Sequence, residues 1–298
     1  MERMVNNNKL GQFIMNLLCV LLCICCLAPF ILLLSSSLTE EATLMRNGYS
    51  FLPAKWSLES YLYLIRKIST IARAYGITIL VTVAGTVTSL LITTMFAYPL
   101  SRKELPFRFP ISFFVFFTML FNGGLIPTYM MYTNTFHIKN TIWALIIPAL
   151  LMNGFYIIMM RSFFSSNIPD ALVEAARIDG AGEYQILFKV VMPLSVPMIA
   201  TLALMVGLTY WNDWTNGLYY LTDSRYYSIQ NVLNKMITDI QFLQTNASSV
   251  VSAVDASKLP SVGIRMAIAV VGALPVLAVY PFFQKYFVKG IVVGGVKG

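Results

Sequence analysis

Long apolar runs alternate with polar connections along this chain. Six runs stand out, at residues 13–34, 75–100, 109–132, 141–160, 196–214 and 264–287. At 1.5 Å rise per residue each is about long enough to cross about 30 Å of hydrocarbon as a helix. Lipid offers no partner to a backbone amide, so a spanning segment must be a helix or part of a closed barrel. The runs are continuous rather than alternating, which selects helices over barrel strands. The pattern predicts an all-α polytopic membrane protein with six transmembrane helices. The first run is too long, and lacks a small-residue cleavage site, to be a secretory leader; it reads as a retained first span.

The polar connections differ in kind. Residues 35–74 and 215–263 form two long loops. Within the first, Leu58, Tyr61, Leu62 and Ile65 recur at helical spacing and predict a short interfacial helix over 57–70. Lys and Arg set the orientation where loops are short. Arg3 and Lys9 precede the first run; Arg102, Lys103 and Arg108 fill the connection after the second; Arg161, Arg177 and Lys189 lie between the fourth and fifth; Lys285, Lys289 and Lys297 follow the sixth. An inside N-terminus makes all of them cytoplasmic and leaves both termini in the cytoplasm. The long outer loops carry basic residues too, but long loops weigh little in this rule.

Residues 161–195 are then a cytoplasmic loop, longer than a plain connection between antiparallel spans needs. Ser166 or Asn167 is suited to cap a helix, Pro169 to its first turn, and Asp170 to its positive end. Small and apolar residues follow up to Ile178, and Gly180 suits a left-handed stop. A second helix over about 183–192 runs up to Pro193. The bland reading is a solvated connector. Against it, Ala175 and Ala176 would leave an apolar patch facing the cytosol unless a partner covers it.

Composition narrows the classes. The 298 residues are 57% hydrophobic and 11% charged, with a formal net charge of +8, against about 25% charged in soluble domains. The basic residues flank spans and no stretch interleaves them with surface aromatics, so no nucleic acid is expected as a partner. Cys19, Cys23, Cys25 and Cys26 all fall in the first run; they are small apolar filler or a lipid-modified site, not a disulfide framework. With a single histidine, His137, no metal site and no catalytic residues are expected. Gly290 and Gly295 have the spacing of a phosphate-binding loop, but Val296 stands where its lysine belongs. The chain is expected to bind no cofactor, not to be an enzyme, and to borrow any ATP hydrolysis from another subunit. Charge-poor spans argue against an ion-driven carrier.

Glu174, Ala175, Ala176, Asp179, Gly180, Ala181, Pro193 and Pro197 match in order and spacing the EAA loop of ABC importer permeases. The resemblance covers nearly the whole chain and is closest to the carbohydrate group, MalG-like, of LplC/YtcP type. Ala97–Arg102, Gly124–Tyr129 and the tail Gln284–Gly290 with Gly294–Gly298 carry that placement. It implies one permease domain over 1–298 in a bacterial plasma membrane, with a MetI-like fold. A second homologous permease, ABC ATPase subunits that use ATP, an extracellular solute-binding lipoprotein, surrounding membrane lipid and an oligosaccharide substrate are its implied partners. On the same resemblance Glu174, Ala175, Ala176, Asp179, Gly180 and Ala181 form the ATPase-coupling helix and its turn, with Asp179 serving either as a contact or as a local cap. Lys289, Gly290, Gly294, Gly295 and Lys297 would reach the ATPase, unless they are a frayed terminus. A non-sugar solute, and an ATP-independent carrier, are the alternatives.

A translocation path needs polar and aromatic groups. Trp211, Asn212, Asp213 and Trp214 close the fifth run and serve either that path or the aromatic belt at the membrane surface. Asn122 and Asn153 are path groups or interhelical hydrogen-bond formers.

Overall fold

The computed structural model describes residues 9–250 and 262–295. They are helical almost throughout and fall into two compact units: residues 1–68 with 235–274, and residues 69–234 with 275–298. Among the described residues, three continuous helices are long and apolar enough to cross a membrane, or five if two sharply bent pairs each count as one.

In the first unit, α1 (Lys9–Ser37) leaves its apolar side chains exposed on every face of its spanning stretch. It ends in buried Ser35, Ser36 and Ser37, where the Ser37 hydroxyl meets the Tyr61 phenol at 2.8 Å. Helix α2 (Glu41–Asn47) and helix α3 (Glu59–Arg66) follow. Of the stretch 57–70, predicted as a short helix, residues 59–66 form α3. It turns Ser60 and Leu64 inward and leaves Leu58, Leu62 and Ile65 exposed, the apolar stripe read from the sequence.

The second unit starts with α4 (Ile68–Ser101), followed by α5 (Arg108–Leu120) and α6 (Leu125–Met130), which continues as a wide turn to Thr135. The run expected as one span over 109–132 is broken. Asn122 Oδ1 accepts from the Gly124 amide at 3.0 Å, Gly124 sits at φ 84°, and the two pieces meet at 109°. The run expected over 141–160 is also interrupted. Only α7 (Trp143–Ile146) and α8 (Gly154–Asn167) are helical, separated by a stretch with Pro148 and a left-handed Ala149. Proline removes a backbone donor and disfavours helix in the residue before it.

Then come α9 (Asp170–Ile178), α10 (Glu183–Ile186), a wide turn over 187–191, α11 (Met192–Leu194) and α12 (Val196–Asn212). The segments before and after Ser195 meet at 84°. Helix α13 (Thr215–Tyr220) and a short 3-10 turn lead to α14 (Ile229–Val250), which belongs to the first unit from residue 235 on; the last described helix, α15 (Val262–Gly295), belongs to the first unit up to residue 274 and to the second from residue 275. Two apolar cores organise the second unit. One gathers Tyr98, Phe164, Val173, Ile186 and Leu202; the other gathers Val81, Ile146, Tyr210 and Tyr220.

Candidate functional site

The loop between α8 and α12 is built on the first of these cores. Phe164 and Ile168 are buried at the end of α8, and the Ile168 amide donates to the Phe164 carbonyl at 3.3 Å. Pro169, in extended conformation, precedes α9 without a side-chain cap. Ser166 or Asn167 was the expected cap; instead Asn167 lies inside α8 and donates back to the Phe163 carbonyl at 3.2 Å. Helix α9 turns Val173 fully inward and packs Ala176 against the core. Its remaining side chains, among them Leu172, Glu174, Ala175 and Ile178, face outward.

Helix α9 ends as its sequence requires. Gly180 takes φ 81°, its amide donates to the Arg177 carbonyl, and the Ala181 amide donates to the Ala176 carbonyl, both at 3.0 Å. These two bonds make a Schellman motif, in which Ala176 and Ala181 also supply the apolar contact by packing on the same core. The second alanine of the EAA triplet and the alanine after Gly180 are thus two halves of one helix stop. Asp179 closes the helix with its backbone amide, donating to the Ala175 carbonyl at 3.0 Å. Its carboxylate is exposed, as is that of Glu174.

Polar bonds pin both ends of α9. At the N-terminal end Asp170 faces Arg102 and Lys103, each at 3.4 Å. At the other end Arg177 binds Glu183 Oε1 at 2.9 Å, and the Tyr98 phenol donates to Glu183 Oε2 at 2.7 Å. The Arg102 guanidinium lies over the Tyr98 ring, 5.1 Å from its centroid. The neighbouring α8 is held at the same place: Arg161 Nε donates to the Leu100 carbonyl at 3.1 Å and the Ser165 hydroxyl to the Ser101 carbonyl at 3.3 Å.

The Tyr98 hydrogen bond, with the Arg177 bond and charge behind it, holds the Glu183 carboxyl below the usual carboxylate range despite partial burial. A depressed folded-state pKa stabilises above the unfolded value, about 4.3, and that gain disappears as pH falls through the folded value. Glu183→Gln should therefore melt earlier than wild type at about pH 6–8, and the gap should close toward about pH 3. Thermal unfolding in detergent across that range checks this. The effect is small, because both side chains are partly exposed.

Outside this clamp the loop presents an apolar surface. Ile178 is 86% and Tyr184 70% exposed, with Leu172 and Ala175 beside them in the sequence of the loop. Of the two alanines expected to leave a bare patch, Ala175 is exposed but Ala176 is covered by the protein's own core; Leu172, Ile178 and Tyr184 supply the rest of the surface.

The candidate path residues do not form one cluster. Asn122 closes the turn before α6. Asn153 caps α8, accepting from the Phe155 amide at 2.9 Å. Asp213 starts α13, its Oδ1 accepting from the amides of Thr215 and Asn216 at 3.1 and 3.3 Å. Asn212 and Asp213 nevertheless line one cavity of about 550 Å³ with Ala149, Thr209 and Asn216. Trp211 lines a different, apolar cavity of about 420 Å³ between α4, α12 and α15, its ring 6.2 Å from that of Tyr75. Trp214 is exposed and gives its carbonyl to Asn231 at 2.6 Å. In the tail, Lys289, Gly290, Gly294 and Gly295 continue α15; Lys297 lies outside the described residues.

Tyr98, Arg177 and Glu183 tie the loop to the end of α4 and were missed by sequence reasoning. Tyr98 stood in the Ala97–Arg102 stretch already singled out, but nothing local ties it to a glutamate 85 positions away.

This is a helical membrane chain whose α9 is packed against the protein on one face and bare on the other. It belongs to the family of binding-protein-dependent transport system inner membrane components, whose model matches residues 1–293. Among its relatives is the Bacillus subtilis polygalacturonan/rhamnogalacturonan transport system permease protein YtcP, 37% identical over 98% of this chain and 99% of the relative. The protein LplC of Bacillus subtilis is likewise 37% identical, over 91% of this chain and 89% of the relative. The structure superposes on a chain of a bacterial ABC transporter involved in import of the acidic polysaccharide alginate. The TM-score is 0.79 at 31% identity, covering 95% of this chain and 98% of that one. The chain is a multi-pass component of a transport system in the plasma membrane, a class that works with a binding protein and a separate ATPase.

Proposed function

We propose that this chain is one of two permease subunits of an ATP-driven importer that moves oligosaccharides inward, with both termini in the cytoplasm. The observation that carries the reading is α9, bonded at both ends to the rest of the protein and bare on its outer face. Small side chains there let a partner helix or groove approach closely, and Ile178 and Tyr184 supply the apolar area a docking surface needs. An ABC ATPase is the occupant, with Glu174 as a charged contact. ATP is bound and hydrolysed by that subunit, and ATP closure drives alternating access. A second homologous permease completes the path, and an extracellular solute-binding lipoprotein delivers the sugar. The relative named for polygalacturonan/rhamnogalacturonan transport, and the alginate importer, support an oligosaccharide over an amino acid or phosphate.

Asn212 and Asp213 are the path residues this reading favours, because they share a cavity with Thr209, Thr215 and Asn216. Trp211, on the apolar cavity, is assigned to helix packing. Affinity purification from native membranes should bring down an ATPase, a second permease and a binding protein. Uptake by the assembled complex should then be competed by unlabelled oligosaccharides and not by amino acids. The tail has its own test: deleting residues 290–298 should weaken recovery of the ATPase several-fold, and unaltered recovery would remove Gly290, Gly294, Gly295 and Lys297 from the contact.

A further inference from the structure

Four polar links converge on the last turn of α4 and the two residues beyond it. Tyr98 reaches Glu183, the Leu100 carbonyl receives Arg161, the Ser101 carbonyl receives Ser165, and Arg102 with Lys103 reaches Asp170. Two of these reach α9, one directly at Asp170 and one through Glu183 of α10, whose carboxylate Arg177 of α9 also holds, across 68 and 85 positions of sequence. The onward route along the chain is different. From α9 to α12 it passes the Gly180 turn and the 84° corner at Ser195. A rigid body displaced at α9 therefore pulls first on whatever is bonded directly to it, because packed and hydrogen-bonded contacts carry displacement and corners absorb it.

We propose that Tyr98 and Glu183 are positioning residues that make α4 the span driven by α9, so that the motor's stroke enters the membrane through a helix remote from the loop in sequence. This rests on the reading of α9 as the ATPase-docking helix. Arg177 orients the Glu183 carboxylate from the α9 side, leaving its second oxygen for the Tyr98 phenol. The buried Arg102, over the ring of Tyr98, fixes that ring from the other side. Tyr98→Phe deletes one oxygen and one hydrogen bond while keeping the buried ring, and Glu183→Gln keeps the shape while removing the charge. Neither touches the outer face of α9.

The assembled complex in proteoliposomes tests this by reading ATP hydrolysis and solute uptake on the same vesicles. For both variants hydrolysis should stay within about twofold of wild type while solute moved per ATP falls on the order of fivefold or more. The double variant should be no worse than the poorer single, because both interrupt one link. An unchanged ratio in both single variants overturns the proposal, as does a fall in hydrolysis that fully accounts for the fall in uptake. Should Glu183→Gln fail to assemble, the ratio measured for Tyr98→Phe decides. A wild-type complex that imports without hydrolysing ATP overturns the underlying reading and this link with it. A wild type that couples the two, beside variants that keep its ratio, overturns the link alone.

Discussion

Replacing Gly180 by proline should reduce nucleotide-dependent uptake to background while leaving the protein inserted in the membrane. Gly180 stands at φ 81°, and the proline ring fixes φ near −65°. The substitution also deletes the amide that donates to the Arg177 carbonyl, and with the turn gone the Ala181 amide loses the Ala176 carbonyl. The local cost is roughly 1–3 kcal/mol for the backbone alone, concentrated where α9 hands over to α10. Its consequence is larger than that figure, because the Glu183 carboxylate reaches Tyr98 and Arg177 only if α10 leaves the turn in its present direction. Gly180→Ala is the control. A Cβ at this position would meet nothing within 4 Å, so alanine pays only the left-handed penalty, on the order of 1 kcal/mol, and should retain most uptake. Uptake into vesicles carrying the full complex, with membrane insertion verified by accessibility of tags on the two termini, separates the cases. Wild-type uptake by Gly180→Pro would remove the turn from the mechanism.

The contrast between these two substitutions shows what the sequence carries on its own. The stop at Gly180, the small face of α9 and the first, second and last spans are local signals, written in composition and spacing. The breaks in the runs over 109–132 and 141–160 are local too. Asn122-Gly123-Gly124 and Pro148 lie within windows whose average apolar character hides them, and hydropathy does not see a turn. The cap of α9 shows a different limit. Two good capping residues preceded Pro169, but the helix before it kept both, since α8 gains more by continuing to bury Phe164 and Ile168 than it would by ending early. The Tyr98–Glu183–Arg177 clamp was beyond reach for a third reason. It joins residues 85 positions apart, and only the packing of α4 against α10 decides that this tyrosine meets this carboxylate. Trp211 to Trp214 look like one cluster in sequence, yet the end of α12 sends Trp211 to one cavity and Asn212 and Asp213 to another.

Gly85→Leu should be the most damaging single change within the spans. Gly85 is buried on α4 against the ring of Tyr210 on α12: a Cβ there would lie 2.5, 2.6 and 2.8 Å from three ring carbons. Tyr210 is itself buried, and its hydroxyl donates to the Ile146 carbonyl at the end of α7 at 2.9 Å. The ring cannot yield without breaking that bond, and a polar group left unpaired in a membrane interior has no water to turn to. Overpacking costs about 1–3 kcal/mol, and loss of the buried hydrogen bond adds on the order of 1 kcal/mol more. The two helices forced apart are α4, with Tyr98 at its end, and α12, which follows the loop that holds α9. The expected result is a lower melting temperature in detergent and a reduced yield of assembled complex. Tyr210→Phe alone should cost only the hydrogen bond, and Tyr210→Ala placed in the Gly85→Leu background should recover part of the stability by making room for the new side chain. Recovery identifies the clash as the cause. A Gly85→Leu protein that melts with wild type would mean that α4 and α12 do not approach as closely as this packing requires.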